Sequence, residues 1–282
     1  MILLWMGLAG SPIALAVDLL VEDFEDISDC VGITLDSTTV FAGSASGQWE
    51  DHVNTTSFRK SFSPHLDASG TAFLAMMVHS DVANGAEVTW IVASDNDADP
   101  EGWDYYRTAI VLDWEGWRYL KISLEDWVVA RSPLGWQDVN EVRVSATGWG
   151  NTPMADSLLH IDDLRFGHGL IDRHLRENTW NGGDFEVHHR LVLSQAGAAG
   201  TALTFEVLGD PELVARTEVP VGVTLDGNGE ATVDVVVRID AADQAALEPL
   251  ATFWGQLLVR DASGVRDGVD IDAGVPPGRA FL

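Results

Sequence analysis

Short runs in which apolar and polar residues alternate recur along most of the chain, separated by Gly, Pro, Asp and Asn. A period of two marks half-buried strands, and many such runs at short spacing mark an all-β sandwich rather than a helical protein. Within 17–169 the runs are LLVEDFED, SASGQWED, TAFLAMMVHS, AEVTWIVAS, DYYRTAIVL, WRYLKISL, VNEVRVSAT and LLHIDDLRF. They fit one jelly-roll β-sandwich of two antiparallel sheets. The polar, Gly-rich stretch that follows is predicted as a linker over 170–183, with no strand of its own. A second series, FEVHHRLVLS, TALTFEVL, VPVGVTL, EATVDVVVRI and TFWGQLLVR, predicts a smaller immunoglobulin-like β-sandwich over 184–282. The turn DGNG at 226–229 is predicted to close a hairpin.

The run LLHIDDLRF carries two adjacent carboxylates, Asp162 and Asp163. Successive side chains on a strand take opposite faces, so one of the two points inward. A buried carboxylate is costly unless it is paired, hydrogen-bonded or bound to metal.

Composition narrows the classes of partner. The formal net charge is -28, and the only lysines are Lys60 and Lys121. Such a surface repels phosphate backbones and anionic membranes, so nucleic acid is excluded as a partner. Residues 1–16 are apolar and end in Ala14-Leu15-Ala16, which predicts a signal peptide and a secreted or cell-surface protein, although no Lys or Arg follows Met1. The stretch is too short and too broken by Gly and Pro for a membrane span. Cys30 is the only cysteine, so no internal disulfide is possible. The end of the chain, GVPPGRAFL, is apolar after a Pro-Pro step, and a downstream catalytic domain is expected as a partner.

Three stretches of the first half resemble the family 11 carbohydrate-binding modules and related galactose-binding-like jelly rolls: LLVEDFED, DWEGWRYLKISLEDW and NEVRVSATGWGNTPMADSLLHIDDLRFG. The resemblance implies a β-sandwich of the kind found N-terminal in polysaccharide-degrading enzymes, with a polysaccharide as partner. It also implies structural calcium between the first and last strands. Glu25 and Asp162 stand at the motif positions of calcium ligands, with Asp163 and Asp23 beside them and carbonyls of the 43–47 loop completing the six to eight oxygens calcium takes. The alternative is that an Asp pairs with Arg165 or caps a turn.

Alternation then separates a core face from an open one. Tyr106, Ile110, Leu112, Val142, Val144, Ala146, Val88, Trp90 and Val92 suit the core. Tyr105, Arg107, Glu87, Glu141 and Arg143 fall on the other face, with Trp103 and Trp149 in adjoining loops. Aromatic faces flanked by mixed charge suit a neutral glycan, which makes these seven the candidate carbohydrate-binding residues. An ordinary cross-strand charge ladder is the competing account.

Catalysis in the first sandwich is the second reading. A glycosidase needs two opposed carboxylates, and only Glu87 and Glu141 offer themselves. A lyase would draw on Tyr105 with Arg107. A structural surface module is the third. No catalytic residue is assigned, and the basic cluster Arg165, His168, Arg173, His174 and Arg176 is expected to meet acidic groups of the same chain.

Overall fold

The computed structural model describes residues 18–98, 100, 102–181, 183–247 and 251–274. The expected signal peptide and the Pro-Pro end lie outside the described residues. The architecture is all-β, with two six-stranded and two four-stranded antiparallel sheets.

The first sandwich uses β1 (Leu19–Glu22), β2 (Cys30–Val31), β3 (Thr34–Asp36), β4 (Ser46–Trp49), β5 (Ser57–Leu66), β6 (Phe73–Ser80), β7 (Glu87–Ala93), β8 (Tyr105–Val111), β9 (Gly116–Ser123), β10 (Val128–Ala130), β11 (Val139–Ser145) and β12 (Leu159–Gly167). The inner sheet runs β3-β4-β12-β6-β9, with β1 also pairing β12; the outer sheet runs β10-β8-β7-β11-β5-β2. Between them lie Trp49, Phe58, Leu74, Met76, Trp90, Val144 and Phe166. The first run, LLVEDFED, is a strand only to Glu22. Phe24 turns the chain at φ 56, and its N–H donates to Glu22 Oε1 at 2.8 Å.

The second sandwich uses β13 (Ile171–Asn181), β14 (Asp184–Ser194), β15 (Ala202–Gly209), β16 (Thr217–Glu218), β17 (Val223–Thr224), β18 (Glu230–Ile239), β19 (Thr252–Asp261) and β20 (Gly264–Gly274). One sheet is β13-β14-β18-β16 and the other β17-β15-β19-β20. Helices α1 (Pro211–Arg216) and α2 (Ala241–Ala246) fill connections. Leu191, Val235, Val237, Leu257 and Ile271 form its core.

Two expectations are corrected. Residues 170–183 do not form a strandless linker: β13 pairs with β14 from Ile171 to Asn181. Its polar side chains stay on an exposed edge, so backbone pairing rather than apolar burial holds it. The 226–229 turn does not close a hairpin either. β17 pairs with β15 while β18 joins β14, so the turn passes between sheets.

The two sandwiches meet on the outward face of the inner sheet. Phe73, Ala75, Met77 and Tyr119 pack against Leu258 and Val265 in a separate core cluster. Gln256 brackets Tyr119 across this seam, its Oε1 accepting the Tyr119 N–H at 2.7 Å and its Nε2 donating to the Tyr119 carbonyl at 2.9 Å. β12 is therefore buried along its whole length: one face meets the first core and the other meets the second sandwich or a loop.

Candidate functional site

The two aspartates of β12 sit at a bulge, where pairing with β6 slips between Asp162 and Arg165 and Asp163 adopts φ 51. Asp162 is 1% exposed. Its Oδ2 accepts the N–H groups of Phe41 and Ala42 at 3.1 and 2.9 Å, and its Oδ1 accepts that of Asp163 at 2.8 Å. Burial nevertheless pushes its carboxyl up to about 6, with the three N–H groups opposing that rise. Asp163 pairs with the buried Arg165 guanidinium, whose Nε lies 3.0 Å away, and accepts the Val265 N–H from the second sandwich at 3.4 Å.

Glu25 reaches the same loop as Asp162. Its carboxylate accepts the Ser44 hydroxyl at 2.5 Å and the Ser44 N–H at 2.7 Å, which hold it below the usual carboxylate range. Asp23 accepts the Glu25 N–H at 3.2 Å. The 41–45 loop thus presents N–H groups, not carbonyls, to these carboxylates. Glu25, Asp162, Asp163 and Asp23 do not gather into one cluster of mutually close ligand atoms among the described residues.

The seven candidate carbohydrate-binding residues fare differently. On the outer sheet, register places Arg107, Ile91 and Arg143 in one row and Tyr105, Ala93 and Glu141 in the next. All of these side chains point away from the core, as alternation requires. The Trp103 and Tyr105 rings lie 5.0 Å apart, and Tyr105 and Trp149 meet edge-on at 5.8 Å. Trp149 Nε1 donates to the Tyr105 hydroxyl at 3.1 Å. The Arg143 guanidinium stacks 4.6 Å over the Trp103 ring while pairing with Glu141 at 2.7 Å.

Local backbone geometry carries Trp149 there. Gly148, Trp149 and Gly150 take φ of 88, 55 and 99, three successive left-handed residues closed by a Gly148–Asn151 bridge. A left-handed Trp is strained, and the loop returns its ring onto the sheet. Asn151 Nδ2 anchors the return on Thr89 Oγ1 at 2.9 Å. Glu87 lies at the other end of β7 from the Tyr105 row, on the far side of Trp149. With Trp149, Asn151 and Met154 it lines a depression of about 380 Å³. Arg107 has no ion-pair partner among the described residues.

Alternation alone gave the strand residues of this face. It could not show that the 146–154 loop folds back, although Gly-Trp-Gly, at 148–150, is a legible turn signal. Trp114 and Trp127 are core residues, and Trp117 packs at the seam beside Phe41 and His79.

No protein-family model and no curated protein matches the chain. Among solved structures it is similar to a family 11 carbohydrate-binding module from Clostridium thermocellum in complex with a β-1,3-1,4-mixed-linked tetrasaccharide, at 12% identity and TM-score 0.41, covering 55% of this chain and 98% of that one. It is also similar to a family 30 carbohydrate-binding module, at 12% identity and TM-score 0.35, covering 49% of this chain and 83% of that one. A glycosyl hydrolase family 2 member from Bacteroides cellulosilyticus aligns at 15% identity and TM-score 0.33, over 78% of this chain and 28% of that one. At such values the sheet order and register, not the likenesses, define this fold. Among the described residues, no helix is long and apolar enough to cross a membrane.

Proposed function

We propose that the first sandwich binds a polysaccharide on the exposed face of its outer sheet, as an accessory, non-catalytic part of a secreted polysaccharide-degrading system. The observation that carries this reading is the contiguous Trp103–Tyr105–Trp149 group with Arg143 stacked on it. Aromatic faces accept the C–H face of a pyranose, and the charged groups beside them hydrogen-bond hydroxyls. Glu141 is shared by Arg143 and, at 3.9 Å, by Arg59, and Arg107 has no ion-pair partner among the described residues. Guanidinium N–H groups beside the rings suit the hydroxyl oxygens of a neutral glycan.

Affinity electrophoresis and calorimetry over a panel of neutral polysaccharides test the proposal. Retardation is expected for at least one glycan. Tyr105→Ala should abolish it, while Trp117→Ala, at the seam, should not. Absence of retardation across the panel, or equal loss in both folded variants, overturns the reading in favour of a structural module.

A further inference from the structure

A second constellation lies on the opposite sheet. His79 of β6 and His160 of β12 are cross-strand partners, as are the core-facing neighbours Val78 and Ile161. Alternation therefore puts both imidazoles on the outward face, with ring centroids 5.6 Å apart. Asp81, just beyond β6, places Oδ1 3.1 Å from His79 Nδ1 and 3.6 Å from His160 Nε2. One nitrogen from each histidine and one Asp81 oxygen lie mutually within 4.8 Å.

We propose that His79, Asp81 and His160 bind a divalent transition-metal ion of the zinc class, with Asp36 positioning His160. Zinc takes imidazole nitrogen and carboxylate oxygen at about 2.0–2.2 Å in tetrahedral geometry. The edges of such a tetrahedron are about 3.3 Å; the two Asp81 contacts of 3.1 and 3.6 Å bracket that value, and the two imidazole nitrogens lie within 4.8 Å of each other. His160 is 3% exposed, with its Nε2 turned to Asp81 and its Nδ1 to Asp36. The His79 Nδ1 is buried, with an Asp81 oxygen at 3.1 Å.

Asp36 Oδ2 stands 3.1 Å from His160 Nδ1, on the side away from Asp81. A carboxylate behind a ligating imidazole fixes its tautomer and raises its basicity. Asp36 is itself held by Thr38 and Thr39, through bonds of 2.7 to 3.0 Å. Asp81 is 39% exposed in its side chain, so the site opens to solvent and a fourth position is free for water. The competing account is a His160 ring held between Asp36 and Asp81 by those contacts alone, needing no metal.

The test is zinc titration of the metal-free full chain by calorimetry, with cobalt as a spectroscopic substitute. One zinc per chain is expected, with intense tetrahedral cobalt absorption. His79→Gln and Asp81→Asn, at partly exposed positions, should fold normally by circular dichroism and weaken zinc at least tenfold. Asp36→Asn should weaken it about 10- to 100-fold. His65→Ala, at an exposed histidine paired with Asp138, should leave it unchanged. Failure of the wild-type chain to bind zinc, or equal binding by folded His79→Gln and Asp81→Asn, overturns the proposal.

Discussion

The Lys121 ammonium lies 2.5 Å from Asp267 Oδ1, joining β9 of the first sandwich to β20 of the second. Asp267 is wholly buried, and its other oxygen accepts the N–H groups of Leu170 and Ile171 at 2.7 and 2.8 Å. One carboxylate therefore fixes both the seam and the chain crossing from β12 to β13.

Asp267→Ala should destabilise the protein by about 1–3 kcal/mol for each of the Leu170 and Ile171 N–H groups it leaves without an acceptor, Lys121 being exposed enough to turn to water. The seam should loosen before either core does, so urea unfolding followed by near-UV circular dichroism should split into two transitions. Asp267→Asn keeps an acceptor and should cost less. A single unshifted transition in the Ala variant would show that the apolar seam alone couples the sandwiches.

The raised carboxyl of Asp162 gives stability a defined pH dependence. A folded value of about 6 exceeds the ordinary 3.8, so the folded state binds the proton more tightly than the unfolded chain does. This contribution favours folding at low pH and fades as pH rises from about 4 to about 6, by at most ~3 kcal/mol. His189 and His52, lowered to about 4 mainly by burial, act in the opposite sense: each adds stability above its unfolded value that is lost as pH falls through the folded one. The difference between wild type and Asp162→Asn isolates the aspartate. Urea midpoints should show the Asn variant gaining on wild type as pH rises from 4 to 6, and parallel curves would refute the assignment.

Calcium addresses the same carboxylates. Asp162 and Glu25 accept N–H and hydroxyl donors from the 41–45 loop, and a cation would have to compete with them. Thermal melts of metal-free protein with and without millimolar calcium should superimpose. A rise of several degrees would mean that the loop turns its carbonyls inward to receive the ion.

Trp149 depends on its two glycine neighbours. Gly148→Ala forces a side chain into the left-handed region at a cost of about 1–3 kcal/mol. Nothing lies within 4 Å of the added Cβ, so backbone strain rather than collision is the cause. Glycan affinity should fall about tenfold, ~1.4 kcal/mol, as the ring leaves Tyr105. Calorimetry beside a thermal melt separates displacement from unfolding, and unchanged affinity would show that Trp149 is peripheral.

The strands that bury a continuous apolar row were legible from period alone, which is why β6, β7, β11 and β14 match their predicted runs. β13 was not, because an edge strand with one solvated face has no apolar row to detect. β20 carried its signal in Val265, Asp267, Val269, Ile271 and Ala273, alternate positions whose pattern Gly and Asp obscure. The fate of Asp163 was half legible: Arg165, two residues on, was a candidate partner, but Val265 N–H comes from a strand far along the chain. His79 and His160 become neighbours only through strand pairing, which no local window reports.

The seam also decides which way the aromatic face looks. The second sandwich occupies the outward side of the inner sheet, so Trp103, Tyr105 and Trp149 lie on the far side of the first sandwich from it. The short crossing between β12 and β13, held by Asp267, gives little room to swivel. Whatever tethers the second sandwich would display the aromatic face at the distal tip, like a hand held palm outward on a stiff wrist. Reach toward a glycan would then come from the tether and not from a hinge within this chain.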